Sequence, residues 1–139
     1  MDVTRRFEFD AGHRLSQHLG KCRNLHGHRY IAELTVSTAT ELGPDQMVID
    51  FGVLKKRIGE WIDKHWDHGM VLDADDKYWV KTIEAAGLKL YCMQGPPTAE
   101  NMAHELVHVA KRLLVDMEVR VTKIRLYETP NCWAEAAPL

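Results

Sequence analysis

Gly27-His28-Arg29-Tyr30-Ile31-Ala32-Glu33-Leu34-Thr35-Val36-Ser37-Thr38 is the stretch that decides the fold. Tyr30, Ala32, Leu34 and Val36 recur at every second position, so it reads as a strand with one face buried. Upstream, residues 2–13 alternate in the same way through Val3, Phe7, Phe9 and Ala11 and end at His13. The intervening segment 14–25 is polar, carries Gly20 and Cys22, and reads as a loop between two paired strands. Antiparallel pairing across that loop brings His13 towards His26 and His28.

Downstream, Asp50 caps a helix expected over 51–65, with Leu54, Ile58, Trp61 and Ile62 on one apolar stripe. Trp66-Asp67-His68-Gly69 reads as a loop, followed by a short helix near 75–86 stopped at Gly87 and a brief strand over 88–93. Gly95-Pro96-Pro97 breaks the chain, and Thr98 caps a long helix over about 99–115. Its core face is Met102, Leu106, Val109, Ala110 and Leu113. Two further strands, 117–128 and 132–137, complete an α+β sandwich: a four-stranded antiparallel sheet with two main helices on one face. Such a sheet leaves two edges open to pairing, which leads us to expect a ring or higher homo-oligomer.

The 139 residues suit one domain, 1–139, with no repeat, linker or low-complexity stretch. A hydrophobic fraction of 45% with 27% charged residues is that of a globular protein. The formal net charge of −2 argues against a general nucleic-acid or membrane-surface binder, which would favour a basic excess. It leaves room for a small anionic substrate in a local basic pocket. No apolar run approaches the roughly 20 residues that span a bilayer, and the N-terminus lacks a signal-peptide pattern. Three cysteines, Cys22, Cys92 and Cys132, form no disulfide framework, so a cytoplasmic setting with free thiols is expected.

His26 and His28 are two apart on a strand and project from the same face, so they can converge with His13 on one ion. Three neutral imidazoles are a usual ligand set for catalytic zinc, with a fourth position left for chemistry. Cys22 leaves two readings open. As a fourth ligand it would close a structural site; as a free thiolate beside the metal, Lys21 and Arg23, it could act as a base. A zinc hydrolase that needs no thiol is a third possibility. His104 and His108, four apart on a helix, lie opposite its apolar stripe and read as solvated.

Several runs together resemble the family of 6-pyruvoyl- and 6-carboxy-tetrahydropterin synthases. They are Phe9-Asp-Ala-Gly-His13, Cys22-Arg-Asn-Leu-His26-Gly-His28-Arg-Tyr30, Met47-Val-Ile-Asp50-Phe51, Asp67-His68, Pro97-Thr98-Ala99-Glu100-Asn101 and Glu128-Thr129. The resemblance implies a tunnelling fold, in which sheets of several subunits join into a barrel, commonly as a homohexameric dimer of trimers. It implies zinc on His13, His26 and His28, Cys22 as the catalytic base, and Asp67-His68 as a proton-relay pair supplied by a neighbouring subunit. Three residues between Cys22 and His26 look like the bacterial carboxy-type enzyme, whereas animal pyruvoyl-type enzymes carry a longer insertion there. The implied reaction converts 7,8-dihydroneopterin triphosphate to 6-carboxy-5,6,7,8-tetrahydropterin, acetaldehyde and triphosphate, an early step towards queuosine. The pyruvoyl-type elimination, and a non-catalytic zinc-stapled oligomeric module, are the competing readings.

Glu128 ends a strand before Thr129, and a carboxylate there can accept two parallel hydrogen bonds from the amino and ring nitrogens of a pterin. Thr98 and Glu100 open a helix, where capping and helix-dipole effects alone would explain them; the resemblance adds a substrate-binding role for both and for Thr129. The chain departs from the family at Asp73, where Asn is usual, at a long 74–96 insertion, and at Ala136 in place of an aromatic.

Overall fold

The computed structural model describes residues 1–139. Strand β1 (Asp2–His13) and strand β2 (His26–Thr38) pair antiparallel along their whole length, from Asp2 opposite Ser37 to His13 opposite His26. Helix α1 covers 51–65 in three segments: Phe51–Leu54, a π-helical Lys55–Gly59, and Glu60–His65. Asp50 caps it as expected, its Oδ1 accepting from the Gly52 N–H at 2.7 Å. Strand β3 (Gly69–Asp73), helix α2 (Lys77–Ala85), strand β4 (Leu90–Met93), helix α3 (Ala99–Leu113), strand β5 (Val119–Thr129) and strand β6 (Cys132–Ala136) follow.

The sheet order is β4-β3-β1-β2-β5-β6, so the expected four antiparallel strands become six in a mixed sheet. The tunnelling architecture stands; the correction is at one edge, where β3 runs parallel to β1 and β4 parallel to β3. The loop expected at Trp66–Gly69 ends at its last residue, because Gly69 already pairs with Ala11. His68 supplies the turn with a left-handed backbone (φ 58°) and donates its N–H to the Asp10 carbonyl at 2.7 Å. Asp67 Oδ1 accepts from the Asp10 N–H at 3.0 Å. These two bonds fasten 67–68 to the outer side of β1 and set the parallel register.

One sheet face carries the core. Phe7, Phe9 and Ala11 of β1, Tyr30, Ala32, Leu34 and Val36 of β2, and Ile124 and Leu126 of β5 are all buried there. Phe9 and Tyr30, directly opposite each other, stack with ring centroids 5.3 Å apart. Met102, Leu106, Val109 and Ala110 of α3 and Leu54, Ile58, Trp61 and Ile62 of α1 join the same cluster. Leu113 packs only partly, and Leu114 beside it is buried instead. Filling this face with side chains of that size contributes about 1.5–3 kcal/mol each, which holds the strands in one register and fixes where their last residues point.

Candidate metal centre and substrate site

His13, His26 and His28 continue the core-facing rows of β1 and β2 beyond the last packed hydrophobes. Glu128 does the same on β5, two residues after Leu126. Four strand-end side chains therefore meet where the helices no longer cover the sheet. His13 is fully buried, while His26 and His28 are partly exposed. Ring centroids of the three imidazoles lie 4.6 to 5.1 Å apart, and one ring nitrogen from each falls within 4.8 Å of the others.

Backbone carbonyls fix the tautomers. Nδ1 of His13 donates to the Pro97 carbonyl at 2.8 Å, and Nδ1 of His26 to the Asn24 carbonyl at 2.7 Å. The lone pairs are thus left on the two Nε2 atoms, which face each other at 3.1 Å. A tetrahedral zinc with nitrogens at 2.0–2.1 Å requires an edge of about 3.3 Å. His28 Nε2 is buried without a hydrogen bond, although Glu128 Oε1 lies 3.2 Å away. Two inward lone pairs whose second nitrogens are tied to carbonyls, with the unpartnered Nε2 of His28 beside them, suit a divalent transition metal, and carbonyl-held imidazoles are a usual supporting arrangement. The three histidines could hold such an ion.

The electrostatics agree with that use. Burial holds the His28 pKa below its usual 6.5, and His13 and His26 add to the effect against the opposing pull of Glu128. The His13 ring keeps the Glu128 carboxyl below its ordinary range in spite of burial. Glu128 Oε1 is 3.2 Å from both His13 Nε2 and His28 Nε2, so one carboxylate oxygen is committed to the histidine corner.

Cys22 sits in a short helical turn, Lys21–Arg23, and lines a cavity of about 380 Å³ together with Asn24, His26 and His28. Its sulfur does not join the set of mutually close ligand atoms. The loop thus brings the thiol alongside the imidazoles without adding it to their cluster. Asp67 and His68 form the expected pair, with His68 Nδ1 2.9 Å from Asp67 Oδ2. Burial would raise the Asp67 pKa, yet the Asp10 N–H and His68 together hold it below the usual carboxylate value.

That pair is not with the trio. Asp10, which clusters with Asp67 and His68, faces Arg29 across the strands at 3.0 Å, on the side of the sheet opposite Phe9 and Tyr30. His68, Arg29 and Lys89 line a second cavity of about 550 Å³, whose edge also includes His28. Within one chain the Asp67–His68 pair and the side chains of the histidine trio therefore project from opposite faces of the sheet.

Thr98 Oγ1 accepts from the Asn101 N–H at 3.1 Å, a helix cap, and Glu100 is exposed in the first turn. Their segment reaches the site through Pro97, whose carbonyl holds His13. Thr129 Oγ1 accepts from the Asn131 N–H in the β5–β6 turn. Two contributors escape sequence reading: the Pro97 carbonyl, and the Tyr30 hydroxyl 3.2 Å from His13 Nδ1. Tyr30 had a visible signal, being two residues past His28 on the same face; a carbonyl has none. His104 and His108 are exposed, as expected.

Comparison with known proteins gives the same direction. A profile described as 6-pyruvoyl tetrahydropterin synthase matches residues 2–138. The 6-carboxy-5,6,7,8-tetrahydropterin synthase of Rickettsia conorii is 47% identical over 134 residues, covering 95% of this chain and 96% of that protein. The protein of the same name from Aquifex aeolicus is 30% identical over 157 residues, covering 96% of each. Among solved structures, an uncharacterized protein from Wolinella succinogenes superposes with a TM-score of 0.86 at 20% identity, covering 100% of this chain and 98% of that one. The Caenorhabditis elegans 6-pyruvoyl tetrahydropterin synthase does so with 0.72 at 24%, covering 100% and 96%. These two likenesses show the fold. With the family profile spanning nearly every residue, and relatives this similar over their full lengths, the chain belongs to the 6-pyruvoyl tetrahydropterin synthase family.

Proposed function

We propose that this protein is a zinc-dependent 6-carboxy-5,6,7,8-tetrahydropterin synthase, converting 7,8-dihydroneopterin triphosphate to 6-carboxytetrahydropterin, acetaldehyde and triphosphate. The observation that carries the proposal is the convergence of His13, His26 and His28 on one point, with Cys22 lining the same cavity as two of them. The names of the relatives at up to 47% identity support the carboxy-type product.

Bound on the trio, zinc would act as a Lewis acid towards the side-chain oxygens of the pterin, making the neighbouring carbon more acidic. Cys22 removes the proton from that carbon as a thiolate, from a partly exposed position beside the imidazoles. His68, oriented by Asp67, returns a proton on the other side of the substrate. Because the sheet separates that pair from Cys22 within one chain, the pair that serves a given site belongs to a neighbouring subunit. A homohexamer built as a dimer of trimers meets this need, with β4 and β6 as the sheet edges available for pairing.

Glu128 binds substrate at the end nearest the metal corner, where its Oε1 already sits. Glu100, exposed at the start of α3, offers a second carboxylate for the donor edge of the pterin ring, with Thr98 and Thr129 at its flanks. We place the enzyme in the cytoplasm, in queuosine synthesis; no helix is long and apolar enough to cross a membrane.

Incubating the zinc-loaded protein with dihydroneopterin triphosphate and analysing both products by mass tests the proposal. It expects 6-carboxytetrahydropterin with one acetaldehyde per turnover. A pterin that keeps its three-carbon side chain, with no acetaldehyde, would move the protein to the pyruvoyl-type reaction.

A further inference from the structure

Arg14 follows the ligand His13 directly, yet its side chain turns inward, with only 15% of it exposed. Its guanidinium makes two bonds at once. Nε donates to the Arg23 carbonyl at 2.9 Å, and one terminal nitrogen donates to Asp76 Oδ1 at 3.1 Å. The neighbouring Leu15 N–H donates to the Cys22 carbonyl at 2.9 Å. Two successive carbonyls, those of Cys22 and Arg23, are therefore clamped by two successive residues leaving β1.

Asp76 comes from the long 74–96 segment and stands immediately before α2. Its side chain makes no bond to the N-terminus of that helix; it is spent on Arg14. Only 9% of it is exposed, and its second oxygen, Oδ2, is buried with no partner. A buried ion pair left half satisfied is a poor stabiliser, since desolvation of the unpaired oxygen offsets the attraction. What the pair does supply is direction. A fork of fixed planar geometry reaches two acceptors on different segments, which a lysine, with one point of charge, would not do.

We infer that Arg14 and Asp76 form a positioning pair that holds the Cys22 turn so that its thiol faces His26 and His28. The inference rests on the reading of Cys22 as the catalytic base. Both act through the turn: Asp76 orients Arg14, Arg14 fixes the Arg23 carbonyl, and the turn that carries Cys22 is thereby held against β1. An error of about 1 Å in the placement of a reacting group costs on the order of 100-fold in rate, so a loosened turn lowers kcat while leaving substrate affinity in place.

The test compares wild type, Arg14→Lys, Asp76→Ala and Asp76→Asn as zinc-loaded full-length protein. It measures kcat, KM, zinc content, Tm and the iodoacetamide alkylation rate of Cys22 by peptide mass mapping. Cys92 and Cys132, both exposed, serve as internal references. Arg14→Lys and Asp76→Ala are expected to lower kcat 10- to 100-fold with KM within threefold, and to change the Cys22 alkylation rate severalfold while the reference cysteines stay constant. Asp76→Asn, which keeps an acceptor of the same shape, recovers part of both losses, and Arg14→Lys combined with Asp76→Ala is no worse than the poorer single variant. Folded, zinc-replete variants with wild-type kcat and alkylation overturn the pairing. So does unfolding of both Arg14→Lys and Asp76→Ala, which would make the pair a structural staple. Cys22→Ala separates the two claims: undiminished turnover there refutes Cys22 as base, whereas the alkylation readout reports the turn's placement regardless.

Discussion

Gly27 separates two metal-ligand candidates, and the structure gives a specific reason for its lack of a side chain. A Cβ built on Gly27 would stand 3.0 Å from the Ala11 carbonyl oxygen and 3.7 Å from Gly12 Cα. Ordinary contact begins near 3.4 Å, so the strands would have to part by a few tenths of an ångström. The obstacle is backbone, and β1 cannot retreat freely because Ala11 is also paired with Gly69 of β3. Overpacking of this kind costs about 1–3 kcal/mol of stability. The same displacement falls between His13 and His26, whose Nε2 atoms now sit 3.1 Å apart, and metal sites tolerate only about ±0.2 Å. Gly27→Ala should therefore weaken zinc binding about 10- to 100-fold, the range seen when supporting geometry is lost. Gly43, with nothing nearer than Asp45 Oδ1 at 3.7 Å, is the control, and Gly43→Ala should leave affinity unchanged. Competition for zinc against a chromophoric chelator, with Tm measured in parallel, reads both effects. Wild-type affinity and stability in Gly27→Ala would refute the steric account of the His-Gly-His motif.

Removing the charge in Glu128→Gln should lower zinc affinity about tenfold in the same competition assay, because the carboxylate oxygen lies 3.2 Å from two of the ligand nitrogens. Thr98→Ala, which removes the cap of α3, should cost about 1 kcal/mol in denaturant unfolding with zinc affinity nearly intact, since His13 is held by the Pro97 carbonyl. The Asp67 carboxyl is held below its usual pKa in the folded chain, so its contribution to stability is present above the unfolded value and fades as pH falls through the folded one. His28, kept neutral by burial, adds a loss in the same direction once pH drops below 6.5, so Tm of the metal-free protein should fall steadily on acidification from neutrality. Co-assembly of Cys22→Ala with His68→Ala subunits should restore turnover that neither has alone, measured against each homo-oligomer.

Where one sheet face is buried and the other is not, alternation reports a strand together with its register. That is why β1, β2 and the core face of α3 could be read from Phe7, Phe9, Tyr30, Leu34, Met102 and Leu106. The same test fails at Gly69–Asp73. Three of those five residues are buried, in no regular alternation, and the strand is held at its start by the His68 N–H donating to the Asp10 carbonyl and the Asp67 carboxylate accepting from the Asp10 N–H. Backbone pairing that starts from a left-handed histidine leaves no hydrophobic pattern to find. Within α1, the π-helical turn at Lys55–Gly59 left the apolar stripe intact and so was equally silent.

The site divides along the same physical line. Side chains on strands inherit a face from their position, so the convergence of His13, His26 and His28 followed from period two and pairing alone. Glu128 obeys the same rule: two residues past Leu126, it had to project on the core side, towards the imidazoles. Cys22, Asp67 and His68 lie outside strands, and no periodicity assigns them a side. Their placement depends on single hydrogen bonds, from Leu15 and Arg14 for the cysteine turn and from Asp10 for the aspartate. Those bonds set the thiol beside the trio and the Asp67–His68 pair behind the sheet. The proposed base and relay pair, on opposite faces of one sheet, can act on one substrate only if another subunit supplies the missing half. The proposed reaction therefore requires assembly, and dilution to the monomer should abolish turnover while the histidine trio, complete within one chain, should still bind zinc.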